Sequence, residues 1–166
     1  TVTLSGNRWP AAVTPTVMTL APCDSITLTV RVHIPSDAGV DARDTLTLSV
    51  HSALGAVPVT ATLLTKTPAP LLLVDDDRWY PMESYYTSAL DAEGIAYDVW
   101  DTDHAHGGAP AAGSVTTATL STYPLVLWFT GYDWYAPVTA LEEERLLHYL
   151  DHGGRLLLSS QDFLYY

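Results

Sequence analysis

Hydrophobic and polar positions follow two different patterns along this chain, and the change falls between residues 65 and 70. Before it, apolar side chains alternate with polar ones, which predicts strands with one buried face. The alternating segments are residues 25–34, 45–50 and 57–63, with shorter runs at 2–4, 12–13 and 17–20. The side chains predicted to face inward are Ile26, Leu28, Val30, Val32 and Ile34, then Leu46, Leu48 and Val50, then Val57, Val59, Ala61 and Leu63. Turn-forming residues separate these segments, so residues 1–67 are predicted to form an antiparallel sandwich.

After Pro70 the pattern changes to solid apolar strands that alternate with helices. Residues 71–74 are all apolar, which predicts a strand buried on both faces. Three further strands are predicted at residues 95–100, 124–129 and 155–159. A first helix is predicted from the apolar spacing at Met82, Tyr85, Tyr86, Ala89 and Leu90, with Gly94 just after its end.

Two more helices complete the second pattern. A short one is predicted near residues 115–120. A longer one is predicted to begin at Thr139, because Glu142 stands three residues later as in a capping box. This helix is expected to run to about His152, with its inward side chains at Leu146, Leu147 and Leu150.

Right-handed crossovers then give a parallel sheet whose four strands, numbered along the chain, lie in the order 2-1-3-4. The predicted organisation is a sandwich at residues 1–67, a linker at 68–70, and a three-layer α/β domain at 71–166. A full domain of this α/β type needs at least one further strand, so we expect the domain to be incomplete.

The first half resembles the immunoglobulin-like or fibronectin type III-like modules of secreted bacterial proteins. The residues that carry the resemblance are Trp9-Pro10, Leu20-Ala21-Pro22, the segment 34–38, and Asp44-Thr45. In that family a strand precedes the Trp-Pro pair, so the sandwich is expected to be incomplete at its N-terminus. A glycine usually stands where this chain has Cys23.

The second half resembles flavodoxin-like domains, related to the class I glutamine amidotransferase-like fold, that occur in large secreted bacterial proteins, often near a peptidase. The segments that carry this resemblance are residues 72–77, 97–101, 128–131 and 149–159, with Gln161-Asp162. The resemblance implies an extracellular, non-catalytic accessory region whose partners are neighbouring domains of the same parent protein.

Charge and cysteine content restrict the classes of binding partner and the covalent links that this chain can have. The chain has 19 acidic and 7 basic residues, a net charge of -12, so nucleic acid and anionic membranes are poor partners. It contains no run of about 18 apolar residues of the kind that spans a membrane. Cys23 is the single cysteine, so it forms no intramolecular disulfide, and we expect it to be a small core residue.

The candidate site lies at the carboxyl ends of the strands, where open α/β sheets bind ligands. In the order 2-1-3-4, the loops after strands one, three and four meet at one crevice. Its predicted residues are Asp75, Asp76, Asp77, Trp79, Tyr80, Thr130, Gly131, Tyr132, Asp133, Trp134, Ser159, Gln161 and Asp162, with Tyr135 as a further wall. Aromatic side chains beside carboxylates suit the stacking of a carbohydrate or the docking of a peptide, and burial against a neighbouring domain or the core is the alternative role for them.

Three other functions compete with simple binding. Residues 72–77 look like the first strand of a response-regulator receiver, but Phe129-Thr130-Gly131 stands where that family needs a phosphorylatable Asp. Ser160 is placed like the elbow nucleophile of amidotransferase-like enzymes, which makes a hydrolase the alternative function. It lacks the flanking glycines of such a turn, and no histidine can be assigned as its base.

Metal binding is the third alternative. Asp75, Asp76 and Asp77 predict a weak calcium site, and no other cofactor is expected. Oxygen and nitrogen ligands also occur together at Asp101, Asp103, His104 and His106, although their spacing matches neither a calcium loop nor a zinc site. A solvated polar loop is the preferred interpretation of that segment, and His33 and His51 are expected to be exposed strand residues.

Overall fold

The computed structural model describes residues 1–55, 57–78, 80–102 and 113–164. The chain divides into two compact units, Thr1–Thr67 and Pro68–Tyr166. Ala69, in the predicted linker, is buried and donates its backbone N–H to the Asp98 carboxylate at 2.9 Å, so it is held by the second unit.

The first unit consists of two antiparallel sheets. Its strands are β1 (Val2–Ser5), β2 (Ala11–Thr14), β3 (Thr29–Val32), β4 (Arg43–Val50) and β5 (Val59–Lys66). One sheet has the order β1-β4-β5, and the other pairs β2 with β3. Its buried apolar side chains, among the residues described, are Val2, Trp9, Val13 and Leu46. The sequence therefore predicted the all-β, antiparallel class of this unit correctly.

Several predicted inward faces in this unit are wrong. Residues 17–20 form no strand, and Val17 is 68% exposed. β3 covers only four of the ten residues predicted for it, which leaves Ile26 and Ile34 exposed at its ends. On β5, Val59 is 71% exposed and Leu63 is also exposed. Alternation fixes which side chains share a face of a strand, but a face is buried only where a second layer covers it.

Cys23 is exposed, so the prediction of a core cysteine is wrong. Its φ of 68° lies in the left-handed region that glycine adopts most easily, which fits a turn rather than a packed strand. Within the part of the chain described, His33 and His51 are exposed, as predicted.

A buried carboxylate fixes the turn that carries Trp9. Asp44, on β4, accepts the backbone N–H groups of Arg8 at 2.9 Å and of Trp9 at 2.8 Å. Burial alone would raise the pKa of Asp44, but these hydrogen bonds and the Arg8 guanidinium hold it below its ordinary value. The carboxylate thereby anchors the buried indole at the edge of the sheet.

The second unit is a parallel sheet with helices on both faces. Its elements are β6 (Leu71–Asp75), α1 (Glu83–Ala92), β7 (Tyr97–Asp101), α2 (Thr117–Leu120), β8 (Leu125–Phe129), α3 (Ala140–Asp151) and β9 (Arg155–Ser159). The strands lie in the order β7-β6-β8-β9, and every pairing is parallel. This is the predicted order 2-1-3-4.

Alternate residues of β6 face two separate cores, which makes the unit three-layered. Leu72 and Val74 pack in one cluster with Trp128, α2 and α3, while Leu71 and Leu73 pack in another with α1. β6 and β8 are therefore the central strands, and the loops that follow them leave the same edge of the sheet. None of the helices in the described ranges is long and apolar enough to cross a membrane.

The capping box of α3 is present as predicted, but part of its buried face is not. The Thr139 backbone N–H donates to Glu142 Oε2 at 2.9 Å, and the Thr139 hydroxyl caps the helix in return. Leu146 is buried, whereas Leu147 and Leu150 are 57% and 41% exposed, so their predicted inward position is wrong. Tyr149 takes the inward place because its hydroxyl donates to the Tyr123 carbonyl at 3.0 Å.

Candidate ligand-binding site

Asp75, the last residue of β6, and Asp77 lie on the α1 side of the sheet, and Asp76 lies on the opposite side, because side chains alternate along an extended chain. Asp76 Oδ1 accepts the Thr102 hydroxyl at 2.6 Å, and its Oδ2 accepts the Trp128 indole N–H at 2.9 Å. Asp77 is fully buried, and its Oδ2 accepts the Met82 backbone N–H at 3.1 Å, at the start of α1. Two of the three carboxylates thus bind the protein's own donors.

Asp75 is the carboxylate whose titration is most perturbed. It is 5% exposed, on the α1 side of the sheet, and it accepts a long hydrogen bond from the Asp77 backbone N–H at 3.4 Å. Burial, followed by the negative charges of Asp77 and Glu83 and then of Asp101, raises the pKa of Asp75 to about 8. At neutral pH this side chain is therefore mainly a neutral carboxylic acid.

The placement of Asp76 on the opposite side from Asp75 and Asp77 bears on the calcium hypothesis. A calcium ion needs several oxygen atoms that converge on one point. In the ranges that the structure describes, no group of three or more His, Cys, Asp or Glu side chains is placed to hold a metal ion. Calcium binding at Asp75, Asp76 and Asp77 stays a prediction.

An ion pair joins the loops that follow β6 and β8. Arg78 Nε lies 2.7 Å from Asp133 Oδ2, and Arg78 Nη2 donates to the Tyr135 carbonyl at 2.8 Å. Asp133 is buried and also accepts the Tyr135 backbone N–H at 3.1 Å. Arg78 has a φ of 63°, and this left-handed turn carries the chain away from the buried Asp77.

Gly131 brings the second loop against the first. Its φ is 54°, and a Cβ built on it would lie 2.8 Å from Asp77 Cβ. Only glycine accepts both the backbone conformation and the close approach. The sequence predicted that Gly131 belongs to the crevice, and the structure shows that its role there is to let the two loops pack.

Aromatic side chains surround the ion pair at the surface. Trp134 is 66% exposed and Tyr132 is 56% exposed. Tyr80 and Tyr132 meet edge to face with ring centroids 5.6 Å apart, and Trp134 meets Tyr135 in the same way at 6.1 Å. A cavity of about 320 Å³ is lined by Arg78, Tyr80, Asp133, Trp134 and Tyr135. We call this cavity the aromatic cleft.

A smaller, polar cavity of about 210 Å³ lies on the other side of the ion pair. Arg78 and Asp133 line both cavities, and Asp76 and Glu142 line the polar one. The ion pair therefore forms the wall between an apolar space and an acidic one.

The loop after β9 does not form a nucleophile elbow. The Ser160 hydroxyl is half-buried and accepts the hydroxyl of the fully buried Thr130 at 2.8 Å. The non-glycine residues with positive φ, within the described ranges, are Cys23, Asp41, Arg78 and Ala136, and Ser160 is not among them. A strained turn that would expose the serine is therefore missing.

The structure separates the predicted site residues. Asp76, Tyr80, Asp133, Trp134 and Tyr135 line the two cavities, and Asp77, Thr130 and Gly131 support the loops from below. Ser159 donates to or accepts from the Tyr86 hydroxyl at 2.8 Å, below the crevice on the α1 side. Gln161 is exposed and Asp162 half-buried, and neither lines the two cavities. Trp79, Asp103, His104 and His106 lie outside the described residues.

Sequence reasoning did not single out Arg78 as a site residue. A signal was available, because Arg78 follows three carboxylates, and an arginine there is expected to pair with one. Its actual partner, Asp133, comes from a loop more than fifty positions away, and this pairing depends on the adjacency of β6 and β8.

Comparison with protein-family models, with curated proteins and with solved structures finds no match for this chain. Its function therefore has to be argued from the geometry of the site.

Proposed function

We propose that this chain is a non-catalytic binding region of a larger extracellular bacterial protein, associated with a secreted peptidase. In this proposal residues 1–67 are an immunoglobulin-like module, and the α/β unit is a flavodoxin-like domain related to the amidotransferase-like fold. The similarity of its sequence segments to such domains supports the assignment, as does the parallel sheet order β7-β6-β8-β9. The aromatic cleft is its ligand site.

The observation that carries the binding function is the clustering of exposed aromatic rings around the Arg78–Asp133 ion pair. Trp134 and Tyr135 are 66% and 58% exposed and line one cavity together with Tyr80, and contiguous exposed apolar surface is typical of binding sites. Rings held edge to face present flat, rigid surfaces, and such surfaces bind at low cost in side-chain entropy.

The charges favour a basic peptide segment over a carbohydrate. Asp76 and Glu142 line the polar cavity that adjoins the Arg78–Asp133 pair, so three carboxylates and one guanidinium lie beside the cleft. The whole chain carries a net charge of -12, which attracts cationic partners. A lysine or arginine side chain can bind over an aromatic face while its neighbours fill the apolar cleft.

We expect Trp134→Ala to weaken the binding of a short lysine–leucine peptide by about 5- to 20-fold, the amount that one cation–π or stacking contact supplies. The measurement is calorimetric titration with this peptide, with a glutamate–leucine peptide of equal length and with a neutral hexasaccharide. Tyr85→Ala is the matched control, since Tyr85 is 72% exposed on α1 and lies outside the cleft.

Equal affinity of wild type and Trp134→Ala for the lysine peptide would show that the cleft is not the site. If the hexasaccharide binds through Trp134 and the lysine peptide does not, the site is correct but the proposed ligand class is wrong.

We expect no covalent labelling of Ser160 by a fluorophosphonate probe. Nucleophilic serines need a base within hydrogen-bond reach, and the Ser160 hydroxyl instead accepts the hydroxyl of Thr130. The probe is followed by intact-mass measurement of wild type and Ser160→Ala. Labelling that disappears in the variant would support the alternative function, a hydrolase or amidotransferase-like enzyme.

A further inference from the structure

Two histidines lie side by side at the C-terminal end of α3, at the opposite end of this helix from Glu142. His148 and His152 are one helical turn apart, and their rings stack with centroids 4.0 Å apart and an interplanar angle of 13°. Both side chains are exposed. Residues four apart on a helix face the same way, so the two imidazoles can reach one common ligand.

The hydrogen bonding of His152 prepares its ring for metal binding. Its Nδ1 lies 2.7 Å from the His148 carbonyl oxygen. A carbonyl can only accept, so Nδ1 carries the proton, and in the neutral ring Nε2 keeps its lone pair. An imidazole that donates one N–H to a backbone carbonyl and binds through its other nitrogen is the usual arrangement of histidine ligands.

The surroundings favour a cation. His152 caps the C-terminus of α3, where the helix dipole is negative. A cavity of about 340 Å³ adjoins His152, so solvent reaches this side of the pair.

We propose that His148 and His152 form a two-imidazole site for a divalent transition-metal ion. Two nitrogen ligands with open positions suit copper(II), nickel(II) and zinc, and the general stability order predicts that copper(II) binds most tightly. The site is separate from the aspartates after β6, whose oxygen atoms would suit calcium.

The test is calorimetric titration of the whole chain with nickel(II) and copper(II). We expect His148→Gln and His152→Ala each to lower the affinity by roughly tenfold or more, since either change removes the chelating second imidazole. The double variant should lose little further affinity, because one remaining imidazole binds a metal only weakly. The double variant His104→Ala/His106→Ala is the matched control, and it should bind the metal ion with the affinity of wild type.

Three results would overturn the proposal. The first is a metal affinity of either single variant within about threefold of wild type. The second is a double variant whose loss of affinity is the sum of the two single losses, as for independent sites. The third is a loss of the same metal binding in the control variant. Circular dichroism of the metal-free variants checks folding, and both substituted side chains are exposed, so each variant is expected to keep its helix content.

Discussion

Replacing Asp75 with Asn is expected to raise the free energy of unfolding of the α/β unit at pH 8 and to change it little near pH 4. The reason is the buried position of this carboxyl among Asp77, Glu83 and Asp101, which raises its pKa from 3.8 to about 8. Asparagine has nearly the same shape and carries no charge at any pH.

The direction follows from the proton balance. Below about pH 4 the carboxyl is protonated in both the folded and the unfolded chain, so its burial does not lower the wild-type free energy of unfolding relative to the variant. Between pH 4 and pH 8 the unfolded chain releases this proton while the folded chain keeps it, so wild-type stability falls as the pH rises. Above about pH 8 the folded chain ionises too, and the difference stays constant.

A pKa raised from 3.8 to about 8 corresponds to at most about 6 kcal/mol at 1.36 kcal/mol per pKa unit. The measurement is urea unfolding of wild type and Asp75→Asn at several pH values between 4 and 9. Asp151→Asn, at an exposed position of the same unit, is the matched control. A constant difference between wild type and Asp75→Asn across this range would contradict a raised pKa.

Gly131→Ala is expected to destabilise the α/β unit by about 2–4 kcal/mol, from backbone strain together with overpacking. The new Cβ would lie 2.8 Å from Asp77 Cβ and 3.4 Å from Met82 Cγ. Asp77 cannot move aside easily, because it is fully buried and holds the Met82 backbone N–H at the start of α1. Because the loops that carry the aromatic cleft would be forced apart, ligand binding should weaken as well.

Gly94→Ala separates the two contributions. Gly94 has a φ of 67°, close to that of Gly131, but a Cβ there would meet nothing within 4 Å. The free energy of unfolding of the control should therefore fall only by the cost of backbone strain, about 1 kcal/mol. Equal losses of unfolding free energy in the two variants would show that contact between Gly131 and Asp77 contributes nothing.

The order of elements in the α/β unit could be predicted from the sequence because each signal is local. Four consecutive apolar residues fix β6 as a buried strand, Thr139 with Glu142 fixes the start of α3, and Gly94 marks the end of α1. Short crossovers of one hand then limit the strand order. The approximate position of the crevice follows from this order alone.

Local patterns failed where burial depends on a neighbouring layer. The alternation on β5 is real, yet Val59 is exposed, and Leu147 on α3 is exposed while Tyr149 is buried. Periodicity identifies a shared face, but packing and hydrogen bonds decide which face turns inward.

The sequence by itself determined which residues could form the site, and only the tertiary structure decided what each of them does. Three adjacent aspartates read alike in the sequence, but Asp75 is left with a raised pKa, Asp76 binds Thr102 and Trp128, and Asp77 binds the start of α1. The pairing of Arg78 with Asp133 likewise exists only because β6 and β8 are neighbours. The physical reason is that hydrogen bonds and desolvation act between atoms a few ångströms apart, and these distances are set by the packing of elements remote in sequence.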